Sequence, residues 1–93
     1  MLYVVARTRI ESTGESFDEV TADNELVAFD TKEKAIKYLK ESYEDELDEF
    51  LEEMYEEGYA EYDYTETKAY YSWWNSYGAG ECVRFEVVEL KIN

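Results

Sequence analysis

A stripe of apolar residues at helical spacing is the clearest pattern in the chain. Between positions 36 and 54 the stripe recurs in steps of three or four residues, which places it on one face of an α-helix. Asp30 and Glu33 precede the stripe in the arrangement of a capping box, and Gly58 follows it in a typical stop position. The pattern predicts one helix from Asp30 to about residue 57, with this apolar face: Ile36, Leu39, Tyr43, Leu47, Phe50 and Met54.

Segments rich in valine, tyrosine and threonine lie on both sides of this helix and predict β-strands. Polar turns separate the segments, and a glycine-containing turn precedes the last of them. The expected strands lie at residues 2–10, 17–20, 25–29, 59–74 and 82–92.

The order of these segments predicts the fold. Strands before and after one long helix, in the order β-β-β-α-β-β, are typical of an α+β domain. We therefore expect a single domain, residues 1–93, in which an antiparallel sheet of four to five strands packs on the helix. In the last strand the apolar positions change parity at Val87 and Val88, which indicates either a bulge or burial on both faces.

Negative charge dominates the composition. The 93 residues include 24 acids and 9 bases, a net charge of -15, and 17% of the residues are aromatic. This balance argues against direct binding to nucleic acid or to anionic membranes. The charge is concentrated, because residues 41–67 hold thirteen acids and no base.

The predicted helix carries its charges in an order that does not favour stability. Lysines occupy its first turns and acids the remainder, which opposes the helix macrodipole and places like charges four residues apart. Ten carboxylates between residues 41 and 57 give about one charge per 2.4 Å, close to the ~1.7 Å of duplex DNA. The alternative is an acidic face that is merely solvated. The candidate partner-binding acids are Glu44, Asp45, Asp48, Glu49, Glu52, Glu53 and Glu56.

An aromatic cluster precedes the last turn and could add an apolar anchor to these acids. It comprises Tyr70, Tyr71, Trp73 and Trp74. Adjacent residues of a strand point to opposite faces of a sheet, so we expect one tryptophan in the core and the other exposed. Core packing is the alternative role of the cluster, although tyrosine and tryptophan are also enriched at the centres of protein interfaces.

The residues that most enzymes and metal sites require are scarce. The chain has no histidine and one cysteine, so a disulfide within the chain and a cysteine-rich zinc site are excluded. The carboxylate pairs lie on an exposed helix face, where burial does not tune them for acid–base chemistry. We expect no catalytic residues, metal site or cofactor. A single thiol and the lack of a long apolar segment predict a cytoplasmic protein that does not enter a membrane.

In its acidic run, residues 41–66, and its tyrosine-dense stretch, residues 59–71, the chain resembles the small acidic inhibitors encoded by phages and mobile elements. This group includes anti-CRISPR proteins and other DNA mimics. The resemblance implies a non-enzymatic protein whose acids replace phosphates on a basic, nucleic-acid-binding host protein, in the host cytoplasm. The alternative is a small structural or oligomeric protein, including a homodimer, with a solvated acidic helix.

Overall fold

A computed structural model describes residues 1–12, 20–53, 59–74 and 79–91, with the backbone alone for 20–22 and 53. These residues form five strands and one helix. The elements in chain order are β1 (Leu2–Ser12), β2 (Val20–Phe29), α1 (Lys32–Glu53), β3 (Tyr59–Tyr64), β4 (Lys68–Trp74) and β5 (Gly80–Leu90).

The five strands form one antiparallel sheet in the order β2-β1-β5-β4-β3. The first and last of these strands are therefore central neighbours, paired without interruption from Leu2↔Leu90 to Ser12↔Gly80. This continuous register shows that the predicted bulge at Val87 and Val88 is wrong. The alternative, burial on both faces, is also wrong, because Val88 and Leu90 are 37% and 46% exposed on the uncovered side of the sheet.

The α+β class and the number of strands are confirmed, but the predicted element order is wrong. The order is β-β-α-β-β-β, because one strand was predicted too many before the helix and one too few after it. The polar residues 21–24, predicted as a loop, continue β2 and pair with β1, as in Thr8↔Asn24. An edge strand tolerates such polar residues because one side of it faces water.

The tyrosine-rich stretch contains two strands rather than one. A turn at residues 65–67 separates β3 from β4, and it contains neither glycine nor proline. The Thr65 backbone N–H donates to the Lys68 carbonyl at 2.7 Å, and the Thr65 hydroxyl accepts from the Lys68 N–H at 3.0 Å. The Thr65 hydroxyl thus stabilises a turn that contains none of the glycine or proline residues by which turns are usually predicted.

Helix α1 begins with a threonine cap. The Thr31 hydroxyl accepts a hydrogen bond from the Lys34 N–H at 3.3 Å, so Thr31 replaces the predicted cap, Asp30. The Asp30 carboxylate instead lies 2.8 Å from the Lys34 ammonium, which lowers the pKa of Asp30. The predicted helix end near residue 57, together with Met54 and Gly58, lies outside the described residues.

The core lies between α1 and one face of the sheet. Leu39 and Tyr43 of the predicted stripe are buried there, and Leu47 and Phe50 pack against the core at its margin. Burial of a side chain such as Leu39 stabilises the fold by about 1.5–3 kcal/mol. The buried set is Val5, Ala35, Leu39, Tyr43, Ala69, Tyr71, Val83 and Phe85.

Candidate acidic docking surface

The outer side of α1 presents a row of carboxylates, which we call the acidic helix face. Its members recur in steps of one, three or four residues, so they share the side of the helix opposite the buried Leu39 and Tyr43. All of them are exposed. The acidic helix face comprises Glu44, Asp45, Asp48, Glu49 and Glu52.

The chain's own bases do not neutralise this face. Lys34 bonds to Asp30, and the nearest lysine that pairs with a helix acid, Lys37, lies 4.0 Å from Glu41 at the margin of the face. Within the described part of the chain, no ion pair involves the five carboxylates of the acidic helix face. These carboxylates are therefore exposed to solvent and not held in salt bridges by any residue that the structure describes.

Glu46 differs from its acidic neighbours because it faces the sheet. Its two carboxylate oxygens accept hydrogen bonds from the Arg7 Nε at 2.9 and 3.1 Å, and the Tyr71 hydroxyl lies 3.4 Å away. The hydrogen bonds to Glu46 raise the pKa of Arg7. Glu46 therefore fastens the helix to β1 and contributes no open charge to the acidic helix face.

The density of open charge approaches that of a nucleic acid. The acidic helix face places five carboxylates along about 12 Å of helix axis, whereas duplex DNA carries one charge per ~1.7 Å. The helix is held to the sheet over this length by core contacts, including those of Leu47 and Phe50. A basic groove that attracts polyanions would therefore also attract this surface.

Two of the predicted partner-binding acids cannot be placed on this face. Glu53 closes the described helix, but its side chain is not described, and Glu56 lies outside the described residues.

The predicted aromatic cluster is divided between the two faces of the sheet. Tyr71 is buried under α1, with its ring 4.8 Å from that of Phe50, so the expectation that it contacts a partner is corrected: its side chain belongs to the core. Trp73 lies half-buried on the same side, whereas Tyr70 and Trp74 point to the opposite side. Tyr70 and Trp74 therefore form no continuous surface with the acidic helix face.

The two tryptophans lie on opposite sides of the sheet as expected, but the prediction that one of them is in the core is wrong. Trp74 is 37% exposed, and Trp73 is the more buried of the two. Gly80 lies opposite Trp74, and a Cβ atom at this position would collide with the Trp73 carbonyl oxygen and the Trp74 ring. Glycine at position 80 thus allows the indole of Trp74 to lie close to β5.

Sequence reasoning missed a second surface, the side of the sheet that α1 does not cover. We call it the open sheet face; it includes the side chains of Val4, Leu26, Tyr70, Val88 and Leu90. A signal for it was present in the alternation of the central strands, because most even-numbered positions of β1 and those at the end of β5 are apolar: Leu2, Val4, Ala6, Ile10, Val88 and Leu90. The odd-numbered positions of the same strands supply the buried core residues Val5, Val83 and Phe85, so the apolar even-numbered residues must lie on the other side of the sheet.

A cavity lies beside the Arg7–Glu46 ion pair. A space of about 300 Å³ lies between the helix and the β1–β2 side of the sheet, lined by Val27, Tyr38 and Ser42 together with the paired Arg7 and Glu46. Among the described residues, no group of three or more potential ligands is arranged to hold a metal ion, and no helix is long and apolar enough to span a membrane.

No protein-family model, curated protein or solved structure matches the chain.

Proposed function

We propose that this protein is a non-enzymatic inhibitor that docks its acidic helix face into the basic groove of a nucleic-acid-binding protein. The carboxylates take the positions that phosphates would occupy. One observation carries the proposal: five exposed carboxylates share one side of a helix that packs on the sheet, and no ion pair within the described residues neutralises them.

The arrangement is unfavourable for the isolated helix, which supports a role in binding. Residues 41–53 hold eight acids and no base, and the last turn of the described helix contains no basic residue. Acids near a helix C-terminus oppose the macrodipole, and like charges four residues apart repel one another. A basic partner would relieve both unfavourable interactions at once, so binding would restore the stability that these charges cost the free helix.

The proposed contact is mainly electrostatic. Tyr70 and Trp74 lie on the other side of the molecule, so they do not extend the acidic helix face with an apolar anchor. Interactions between exposed charges weaken with added salt. Complex formation should therefore be fast and strongly dependent on ionic strength.

A displacement assay tests the proposal. Labelled duplex DNA is bound to each of a panel of DNA-binding enzymes, including CRISPR effectors, and the protein is added as competitor. The test variant carries Glu44→Gln, Asp48→Asn and Glu52→Gln. A matched control carries Glu25→Gln, Glu61→Gln and Glu66→Gln, which remove the same charge from exposed positions elsewhere.

The two variants separate a specific surface from net charge. At about 1 kcal/mol per ion pair, the helix variant should compete on the order of 100-fold less well than the parent, and the control should stay within about threefold. Equal losses in both variants, or no displacement by the parent from any enzyme of the panel, would show that the acidic helix face is not a docking surface.

We further propose that the protein acts in the cytoplasm of a host cell. Cys82 is a free thiol, which suits a reducing compartment.

A further inference from the structure

The open sheet face is unusually apolar for a surface that water contacts. In an antiparallel sheet with one covered side, the other side normally carries polar residues. Here Leu26 is 70% exposed, Leu90 46% and Val88 37%. Strand register makes the patch continuous, through Leu2↔Leu90, Val4↔Val88 and Val4↔Ala28.

The open sheet face is also nearly neutral. Its described side chains include two bases and three acids, a net charge of -1, whereas the whole chain carries -15. Lys68 already lies 3.8 Å from Glu86. A strongly basic partner gains little here, but a second copy of this acidic chain meets its weakest repulsion on this face.

The chain exposes more surface than a typical monomer of its mass. Its accessible surface is 6937 Å², about 1,200 Å² more than the ~5,700 Å² expected for a monomer of 11.1 kDa. The radius of gyration, 14.9 Å, exceeds the ~12 Å expected for a compact domain of 93 residues. The molecule is a slab only 15 Å thick.

The open sheet face has the dimensions of a stable interface. The five strands, 6 to 11 residues long at about 3.3 Å per residue and side by side at ~4.8 Å, cover roughly 700 Å². A typical specific interface buries about 800 Å² per partner. Homodimer interfaces are also more apolar than the general protein surface.

From these observations we infer that two copies of the chain pack their open sheet faces against each other. The dimer is a four-layer sandwich in which two sheets meet at the centre, about 10 Å apart, and the helices lie outside. Leu26, Val88 and Leu90 are buried at the interface. The two acidic helix faces point in opposite directions, so dimer formation leaves both accessible.

Sedimentation equilibrium tests the dimer, with charge-changing variants to locate the interface. Leu26→Lys lowers the net negative charge, whereas Val88→Glu raises it, yet each places a charge in the proposed interface. Leu51→Glu is the matched control, because Leu51 is 40% exposed on the helix and lies outside the open sheet face. Circular dichroism verifies that each variant is folded.

We expect a dimer at micromolar concentrations, with a dissociation constant raised at least about tenfold by Leu26→Lys and by Val88→Glu. Leu51→Glu should change it less than about twofold. Added salt should tighten the dimer, because it screens the repulsion between the two acidic copies. It should weaken the proposed docking on a basic partner. The dimer and the docking function can therefore fail independently.

Three results would overturn the inference. The first is a monomer at about 100 µM in high salt. The second is a dimer broken by Leu51→Glu and kept by the other two variants, which would place the interface on the helix. The third is a dimer sensitive to Leu26→Lys alone with Val88→Glu folded, which would indicate pairing through the β2 edge.

Discussion

Arg7 of the central strand β1 and Glu46 of helix α1 form a bidentate ion pair between the sheet and the helix. The Arg7 Nε donates to both Glu46 carboxylate oxygens, at 2.9 and 3.1 Å, and an Arg7 NH2 group also bonds to Glu46. Both side chains are about a quarter exposed, and the guanidinium lies 5.9 Å from the centre of the Phe85 ring. The pair therefore fixes the helix on the sheet at the edge of the core.

Removing one partner of this pair should destabilise the fold. Arg7→Ala leaves the Glu46 carboxylate partly buried without its counter-charge, and we expect a loss of about 1–3 kcal/mol in the free energy of unfolding, measured by urea denaturation. Lys91→Ala is the control, because Lys91 is exposed beyond the end of β5 and forms no ion pair within the described residues. Equal effects of the two substitutions would mean that the pair contributes no more than an ordinary surface base.

Neutralising the acidic helix face should stabilise the free protein. Glu44→Gln, Asp48→Asn and Glu52→Gln together remove two like-charge pairs at four-residue spacing and an acid near the end of the described helix. We expect a gain of about 0.5–1.5 kcal/mol in the free energy of unfolding at low ionic strength.

Salt provides the control for this gain. Thermal denaturation of both proteins at low and high salt should show the difference shrinking as the charges are screened. A triple variant that is less stable than the parent at low salt would show that these acids already have favourable partners in the free protein.

The buried hydroxyl of Tyr71 should make stability depend on alkaline pH. Burial above all, together with the nearby Glu46 and Glu81 carboxylates, raises the pKa of Tyr71 from 10.0 to about 12. The unfolded chain therefore releases this proton first. The contribution of Tyr71 is complete below pH 10.0 and is lost as pH rises toward about 12, at up to about 1.4 kcal/mol per pH unit.

Comparison with phenylalanine isolates this effect. Urea denaturation of Tyr71→Phe across the same pH range should lack this part of the decline, whereas Tyr62→Phe, at a position 56% exposed, should follow the parent. Parallel stability curves for the parent and Tyr71→Phe above pH 10.0 would mean that the hydroxyl ionises as readily in the folded protein as in the unfolded chain.

The helix and the acidic helix face could be predicted because they depend on local spacing. Steps of three and four residues place Leu39 and Tyr43 on the buried side, and the same geometry places Glu44 and Asp48 on the other. The sequence alone therefore predicted five acids that the structure shows to be exposed on one side of the helix: Glu44, Asp45, Asp48, Glu49 and Glu52.

The strand arrangement depended on signals that local patterns do not carry. Residues 21–24 are polar yet belong to β2, because pairing with β1 outweighs their weak strand preference. The turn at Thr65 forms through a hydroxyl rather than a glycine or proline. The open sheet face depends on the pairing of β5 with β1, which joins residues far apart in the sequence and brings their apolar side chains together.

The pairing of β1 with β5 also determines when the protein can fold. Without β5, β1–β2 and β3–β4 are two separate hairpins with no shared backbone hydrogen bonds, since each is joined to the other only through that strand. A nascent chain that has been synthesised only as far as residue 79 lacks β5, so it cannot form the complete sheet against which α1 packs. Such distant contacts make folding slow, and the five-stranded sheet can form only after β5 has been synthesised.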